Sequence, residues 1–210
     1  TELIFWNTGQ LFNMTAKHIL LTGPPGIGKT TLINKICDSL RSTGIECQGF
    51  YTEEIRSGGR RTGFDVVTLC GNRGPLARIS EREAGFPSSN RREYKVGQYS
   101  VQIQSFEQTA LPSIQKVKSG DNKSVFVIDE IGKMELFSQT FVQSVKSIFD
   151  KPNNTILATI PIARGKPLPF VEELRHRSDT LWTLNPHFSH TFIATNVKKN
   201  STRLIVFTNN

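Results

Sequence analysis

The residues with the clearest chemical potential lie near the start of the chain, from Gly23 to Thr30. They read Gly-Pro-Pro-Gly-Ile-Gly-Lys-Thr and match G-x-x-x-x-G-K-[ST] at every fixed position. Glycines let a backbone wrap closely around phosphates, and amides at a helix start turn partial positive charge toward an anion. We therefore predict that Lys29 contacts the β and γ phosphates of a nucleotide and that Thr30 is a ligand of Mg²⁺.

A second polar pair, Asp129 and Glu130, directly follows the apolar run Val125 to Ile128, in the manner of a Walker B strand. Such a run predicts a buried strand that delivers the acids to the edge of the sheet where open α/β folds bind ligands. Asp129 would hold Mg²⁺ there, and Glu130 would orient and polarise an attacking water. The plainer alternative, a polar strand exit with no catalytic role, stays open.

Positive groups in loops near predicted strand ends are candidates for neutralising charge on the transferring phosphoryl group. They are Arg60, Arg61, Lys133, Arg164 and Lys166. We retain Arg61 and Arg164 as candidates, although for any single one an ordinary surface position is the simpler interpretation. Thr159 ends the strand after the acidic pair and is a candidate contact for the γ-phosphate or the attacking water.

The elements that must position these residues are also visible in the sequence. The apolar run 18–21 predicts a buried strand before the glycine-rich loop, and helical spacing of apolar residues predicts a helix at 29–42. Further strands are predicted at 48–55, 63–69, 98–103, 124–128, 155–159 and 180–183, and further helices at 105–118, 138–149 and 169–177. Alternating strands and helices predict an α/β fold with a mostly parallel sheet flanked by helices.

Three stretches are less regular. Residues 48–69 have the pattern of a β-hairpin, which would be an insertion in the parallel sheet. Residues 71–97 are rich in Gly, Pro, Ser, Asn and Arg, and we expect a mobile surface segment there. Arg203 to Phe207 resembles a strand that the sequence alone does not assign to a sheet.

Composition limits the function classes. The chain has 210 residues, of which 37% are hydrophobic and 21% charged, as in a globular protein. No run of 18 apolar residues occurs, so we expect no membrane contact. The net charge of +8 is dispersed, and a nucleic acid is not expected as the main partner. Three cysteines without a C-x-x-C pair argue for a reducing, intracellular and cytoplasmic location, and we expect a monomer.

Four blocks of sequence together resemble the cancer-related nucleoside-triphosphatase family. They are Gly-Pro-Pro-Gly-Ile-Gly-Lys-Thr-Thr-Leu (23–32), Gly-Phe-Tyr-Thr-Glu-Glu (49–54), Gly-Arg-Arg-Thr-Gly-Phe-Asp (59–65) and Val-Ile-Asp-Glu-Ile-Gly-Lys-Met-Glu-Leu (127–136). The resemblance implies a RecA-like P-loop domain in which another strand separates the acidic strand from the P-loop strand. It also implies Mg²⁺-dependent hydrolysis of ATP, GTP, CTP and UTP to the diphosphate and phosphate, with loose base preference.

By position, the resemblance carries over a nucleotide-binding set, with Lys29 and Glu130 as catalytic residues and Thr30 and Asp129 as metal ligands. The set is Gly23, Pro24, Pro25, Gly26, Ile27, Gly28, Lys29, Thr30, Thr31, Val125, Phe126, Val127, Ile128, Asp129, Glu130, Ile131 and Gly132. The family's strand order makes Thr159 a candidate sensor of the γ-phosphate.

The predicted domain organisation has three parts. Residues 14–184 form the P-loop domain, residues 1–13 an extension outside its core, and residues 185–210 a tail unlike the family's usual ending. Two other functions remain open. A nucleotide or small-molecule kinase would use the segment 71–97 as a lid, and a nucleic-acid-associated ATPase or a non-catalytic nucleotide switch would use the positive charge.

Overall fold

A computed structural model of the chain describes residues 2–7, 10–14, 17–80, 93–115, 124–163, 165–184, 191–198 and 201–208, with side chains described between 17 and 180. The strands are β1 (Glu2–Asn7), β2 (Gln10–Met14), β3 (His18–Thr22), β4 (Glu46–Ser57), β5 (Arg60–Thr68), β6 (Arg73–Ile79), β7 (Lys95–Val96), β8 (Tyr99–Val101), β9 (Ser124–Asp129), β10 (Thr155–Ile160), β11 (Thr180–Leu184), β12 (Thr191–Lys198) and β13 (Ser201–Thr208). The α-helices are α1 (Lys29–Ser42), α2 (Ile103–Gln115), α3 (Gln139–Asp150) and α4 (Pro169–Arg175), with a 3₁₀ helix at Glu135–Phe137.

The main sheet has nine strands in the order β11-β3-β10-β9-β4-β5-β6-β8-β7. The five strands from β11 to β4 pair in parallel, and β5 then turns back on β4 to begin an antiparallel extension. The glycine-rich loop at residues 23–30, called the phosphate loop below, follows β3. Strand β10 lies between β3 and β9, and the acidic pair stands at the end of β9. The fold is therefore an α/β P-loop fold of the RecA-like strand order, with a hairpin added at one side, as the sequence predicts.

The parallel strands are buried on both faces because helices cover both sides of the sheet. In β9, Val125 and Val127 pack with apolar residues of α1, whereas Phe126 and Ile128 join the larger core formed with α2, α3 and α4. Alternate residues of a strand point to opposite faces, so a strand between two helical layers must be apolar throughout. This accounts for the uninterrupted apolar run before Asp129.

Most elements agree with the sequence-based prediction, and the hairpin is confirmed as β4 and β5. Ser138 caps α3, because its hydroxyl accepts a hydrogen bond from the amide of Phe141 at 2.9 Å. The prediction for residues 71–97 is wrong at 73–79, which form strand β6 with Leu76 and Ala77 fully buried. The middle of that segment, residues 81–92, lies outside the described residues.

The two ends of the chain contribute to a second sheet of four strands, in the order β12-β13-β1-β2. Strand β1 pairs in parallel with β13, so the first and last parts of the chain are hydrogen-bonded to each other. The strand predicted at 203–207 is found here as part of β13. Among the described residues, no helix has the length and apolar character required to span a bilayer.

Candidate active site

The phosphate loop lies between the end of β3 and the first residue of α1. Gly28 precedes the helix with φ of 99°, a left-handed conformation that residues with a Cβ adopt only at a cost. The ammonium group of Lys29 folds back over the loop and donates hydrogen bonds to the carbonyl of Gly23 at 3.0 Å and that of Pro24 at 3.3 Å. The loop and its cation are thus arranged around the space where the motif predicts a phosphate.

Asp129 ends β9 and is only 2% exposed. Its two carboxylate oxygens each accept a hydrogen bond from a threonine hydroxyl, one from Thr30 at the start of α1 and one from Thr159 near the end of β10. Burial raises the pKa of Asp129, and the two hydroxyl groups and the charge of Lys29 oppose that shift. Three neighbouring elements therefore meet at one carboxylate.

The oxygens of Thr30 and Asp129 fit a magnesium ion. Mg²⁺ prefers hard oxygen ligands, and in nucleotide sites it takes one or two from the protein and the rest from phosphates and waters. A carboxylate that is almost completely buried also gains from a nearby cation, because burial disfavours its charged form. These two residues would hold the metal, whereas Thr159 donates a hydrogen bond to the other carboxylate oxygen of Asp129.

Glu130 has a different environment from its neighbour. It is half-buried, and within the described residues no group donates a hydrogen bond to its carboxylate. Burial raises its pKa, the charge of Lys29 lowers it, and the charge of Asp129 raises it. A carboxylate with free oxygens and a raised pKa is suited to accept a proton from a bound water.

The turn after β9 depends on Gly132. A Cβ on this residue would lie 3.0 Å from Oε1 of Glu130 and 3.1 Å from Oε2 of Glu135, closer than side chains normally approach. The amide of Ile131 donates to the carbonyl of Thr159 at 2.9 Å, which ties the turn to the end of β10. The carboxylates of Glu130 and Glu135 therefore both lie next to Gly132, in space that a side chain at this position would occupy.

Glu135 is a functional candidate that the sequence analysis missed. It is 5% exposed, and its carboxylate accepts a hydrogen bond from the amide of Gly132 at 3.0 Å. Burial, followed by the charge of Glu130, raises its pKa to about 8. The available signal was an acid placed between the apolar residues Met134 and Leu136, which is uncommon unless the acid has a buried partner.

Beside Glu130 lies a cavity of about 280 Å³. Its walls come from the hairpin of β4 and β5, the strands β6 and β7, the turn after β9, the segment after β10, and helix α4. Glu130 and Glu135 are both part of the wall, but no residue of the phosphate loop is. The cavity is therefore separate from the phosphate loop, with Glu130 at their common boundary.

The remaining predicted residues have different positions. Arg61 pairs with Glu54, lies over the ring of Phe64 at 5.4 Å and interacts with Tyr99 of β8, so its described partners belong to the antiparallel part of the sheet. Arg164 lies outside the described residues. Thr31 is exposed on the first turn of α1. The side chains from Val125 to Ile128 are buried in the two cores, so the only β9 side chain at the edge of the sheet is that of Asp129.

A phosphate loop between a strand and a helix, with an acidic strand two positions away in a parallel sheet, defines the class of P-loop nucleotide-binding proteins. Within that class, the model of the NTPase family matches residues 18–187, and the chain belongs to this family.

Named relatives agree with the family assignment. The human cancer-related nucleoside-triphosphatase is 55% identical over 166 residues, which are 78% of this chain and 85% of the human protein. The solution structure of a human cancer-related nucleoside triphosphatase superposes with a TM-score of 0.67 at 54% identity, covering 80% of this chain and 87% of the other. The crystal structure of THEP1 from Aquifex aeolicus superposes with a TM-score of 0.65 at 35% identity, covering 82% of this chain and 91% of the THEP1 chain.

Proposed function

We propose that the protein is a Mg²⁺-dependent nucleoside-triphosphate phosphatase that hydrolyses ATP, GTP, CTP and UTP to the diphosphate and phosphate. One observation carries the proposal. The side chains of Lys29 and Thr30, from the phosphate loop and α1, lie at the same edge of the sheet as Asp129 and Glu130. The relatives are named nucleoside-triphosphatases, which supports the same reaction class.

In the proposed reaction, the loop amides and Lys29 bind the β and γ phosphates and balance their negative charge. Thr30 and Asp129 hold the metal ion, which when bound supplies further charge neutralisation at the phosphates. Glu130 accepts a proton from the attacking water, because its oxygens have no other donor among the described residues. Thr159 positions Asp129 through its hydroxyl.

The test is a measurement of phosphate release from each of the four triphosphates, with and without Mg²⁺. We expect release from all four in the presence of Mg²⁺ and none in its absence. Release that requires an added nucleoside or small-molecule acceptor would favour a kinase instead. Turnover that requires DNA or RNA would favour a nucleic-acid-associated ATPase, for which the net charge of +8 is the supporting feature.

The kinase alternative requires a lid formed by residues 71–97. Residues 73–79 of that segment belong to the main sheet, which makes this lid less plausible. The cytoplasmic location also remains a proposal. It rests on Cys37, Cys47 and Cys70, which are all free thiols, as expected in a reducing compartment.

A further inference from the structure

The cavity beside Glu130 has the features of a binding site for a second small molecule. Its lining is mainly apolar and includes the half-buried side chains of Phe64, Val96, Ile162 and Leu168. Binding sites for small organic molecules are concave and mostly apolar, with a few polar groups that orient the ligand. A volume of about 280 Å³ is enough for a compact ring system.

A nucleotide held by the phosphate loop does not account for this cavity. None of the residues 23–31 lines it, and Glu130 stands between the loop and the cavity. Thr52 of β4 and Val171 of α4 also line it. An occupant would therefore approach Glu130 from the side away from the triphosphate.

The charges around the cavity indicate what the occupant carries. Lys133 and Lys166 are exposed members of the lining, and neither forms an ion pair with any residue in the described part of the chain. Glu172, which also lines the cavity, is 3.4 Å from Arg175 and so has a cationic partner. Glu130 also lines the cavity, but it is half-buried, so the exposed unpaired charges of the described lining are those of the two lysines, and they complement an anionic group on a ligand.

We propose that this cavity binds a small molecule with an apolar, ring-sized body and one anionic group, separately from the triphosphate. The body fills the apolar walls, and the anion lies near Lys133 and Lys166. Such an occupant covers one side of Glu130 and limits the access of water to its carboxylate. Binding of this molecule does not depend on the proposed function, and only its effect on turnover rests on that function.

The test uses anilinonaphthalene sulfonate, a fluorescent probe with an aromatic body and one sulfonate. We expect it to bind the full chain with one-to-one stoichiometry and to remain bound when Mg²⁺ and ADP saturate the phosphate loop. The uncharged N-phenylnaphthylamine should bind more weakly. The double variant Lys133→Gln/Lys166→Gln should raise the Kd for the sulfonate probe about 3- to 10-fold, the scale of two exposed charge contacts, without affecting the uncharged probe.

Lys151→Gln is the matched control, because Lys151 is an exposed lysine that does not line the cavity. Ile162→Phe adds bulk to an apolar wall and should weaken both probes. Should Ile162→Phe fail to fold, the lysine variants alone decide. Absence of one-to-one binding, displacement by Mg²⁺ and ADP, or equal affinity in the double variant and the control would each overturn the proposal.

Phosphate release gives the second readout. Measured over a range of triphosphate concentrations, the sulfonate probe should lower kcat without raising KM, since it leaves the phosphate loop free. An increase in KM alone would mean that the probe competes for the nucleotide site, which overturns the separate location. If the protein releases no phosphate at all, the proposed function fails, while the probe titrations still decide whether the cavity is a site.

Discussion

Glu130 and Asp129 are adjacent in the chain but differ in what their carboxylates can do. Asp129 has both oxygens occupied by threonine hydroxyls, whereas Glu130 accepts no hydrogen bond from the described residues. The first arrangement suits a fixed ligand and the second a group that exchanges a proton. These contacts support the proposed roles, with Asp129 as a metal ligand and Glu130 as the acceptor of a proton from water.

Replacing Glu130 with glutamine should separate binding from catalysis. Glutamine keeps the size of the side chain but cannot accept the proton, so we expect kcat to fall by roughly 10²–10⁴. The affinity for Mg²⁺ and nucleotide should change little, as measured by calorimetry with a slowly hydrolysed analogue. A parallel loss of binding and turnover would mean that Glu130 has a structural role.

Glu135 should make the protein less stable as pH rises. Its pKa is raised from 4.5 to about 8, so the folded state holds a proton that the unfolded state releases. The stabilising contribution is complete below about pH 4.5 and is lost as pH rises through about 8. Asp129 and Glu130, whose pKa values are also raised by burial, act in the same direction.

The variant Glu135→Gln isolates this contribution, because the amide oxygen can still accept the hydrogen bond from Gly132. Urea unfolding at a series of pH values should give a shallower pH dependence for the variant, by at most about 1.4 kcal/mol per pH unit. Glu173→Gln is the control and should follow the parent protein, because Glu173 is exposed and its ion pair with Lys146 is a surface pair that contributes little to stability. Identical slopes for parent and Glu135→Gln would contradict the assignment.

At the scale of elements, the turn from β9 to the 3₁₀ helix fixes the direction of Glu130. Gly132→Ala would put a methyl group against Glu130 and Glu135, at 3.0 and 3.1 Å from their oxygens. A displaced carboxylate no longer meets the attacking water in line, so we expect kcat to fall by up to about 10²-fold while KM changes little.

Nucleotide affinity provides the internal control for Gly132→Ala, because the atoms nearest to the added methyl group belong to Glu130 and Glu135 and not to the phosphate loop. Binding of the diphosphate with Mg²⁺ should match that of the parent protein. A variant that binds normally and also turns over at the parent rate would show that the turn tolerates a side chain, against the close approach seen at Gly132.

Sequence patterns were sufficient where local and tertiary preferences agree. The helix α1 begins and ends at the predicted residues, because its apolar spacing and the glycine-rich loop before it point to the same element. Strand β6 does not follow from the local pattern, because glycine, proline and arginine surround Leu76 and Ala77 and these two residues join the core only through tertiary packing. Tertiary context overrode the local pattern there.

The residues of the candidate site show the same contrast between local pattern and tertiary context. Lys29, Thr30, Asp129 and Glu130 follow from motif spacing, because a strand end and a loop can be assigned from the sequence. The burial of Glu135 cannot, since it depends on the turn that brings it to the amide of Gly132. Likewise the partners of Arg61 depend on the register of the hairpin, where Arg61 lies opposite Arg56 and pairs with Glu54.

At the scale of the whole molecule, ligand binding and folding are linked through the phosphate loop. The loop joins β3 to α1, and Thr30 of α1 contacts β9 through Asp129, so a ligand held there would bridge the centre of the sheet. A ligand that binds only the folded state at 100 times its Kd adds about 2.7 kcal/mol of stability. For a chain of this length, each kcal/mol raises Tm by about 2–4 °C.

We therefore expect saturating Mg²⁺ and nucleoside diphosphate to raise Tm by about 5–10 °C in a thermal-unfolding measurement. Lys29→Ala removes the ammonium group from the phosphate loop and should abolish both this increase and phosphate release, without lowering the Tm of the unliganded protein by a similar amount. Lys35→Gln is the control, because Lys35 is exposed on the same helix and lies outside the loop. An undiminished increase in Tm for Lys29→Ala would mean that the nucleotide is bound elsewhere on the molecule.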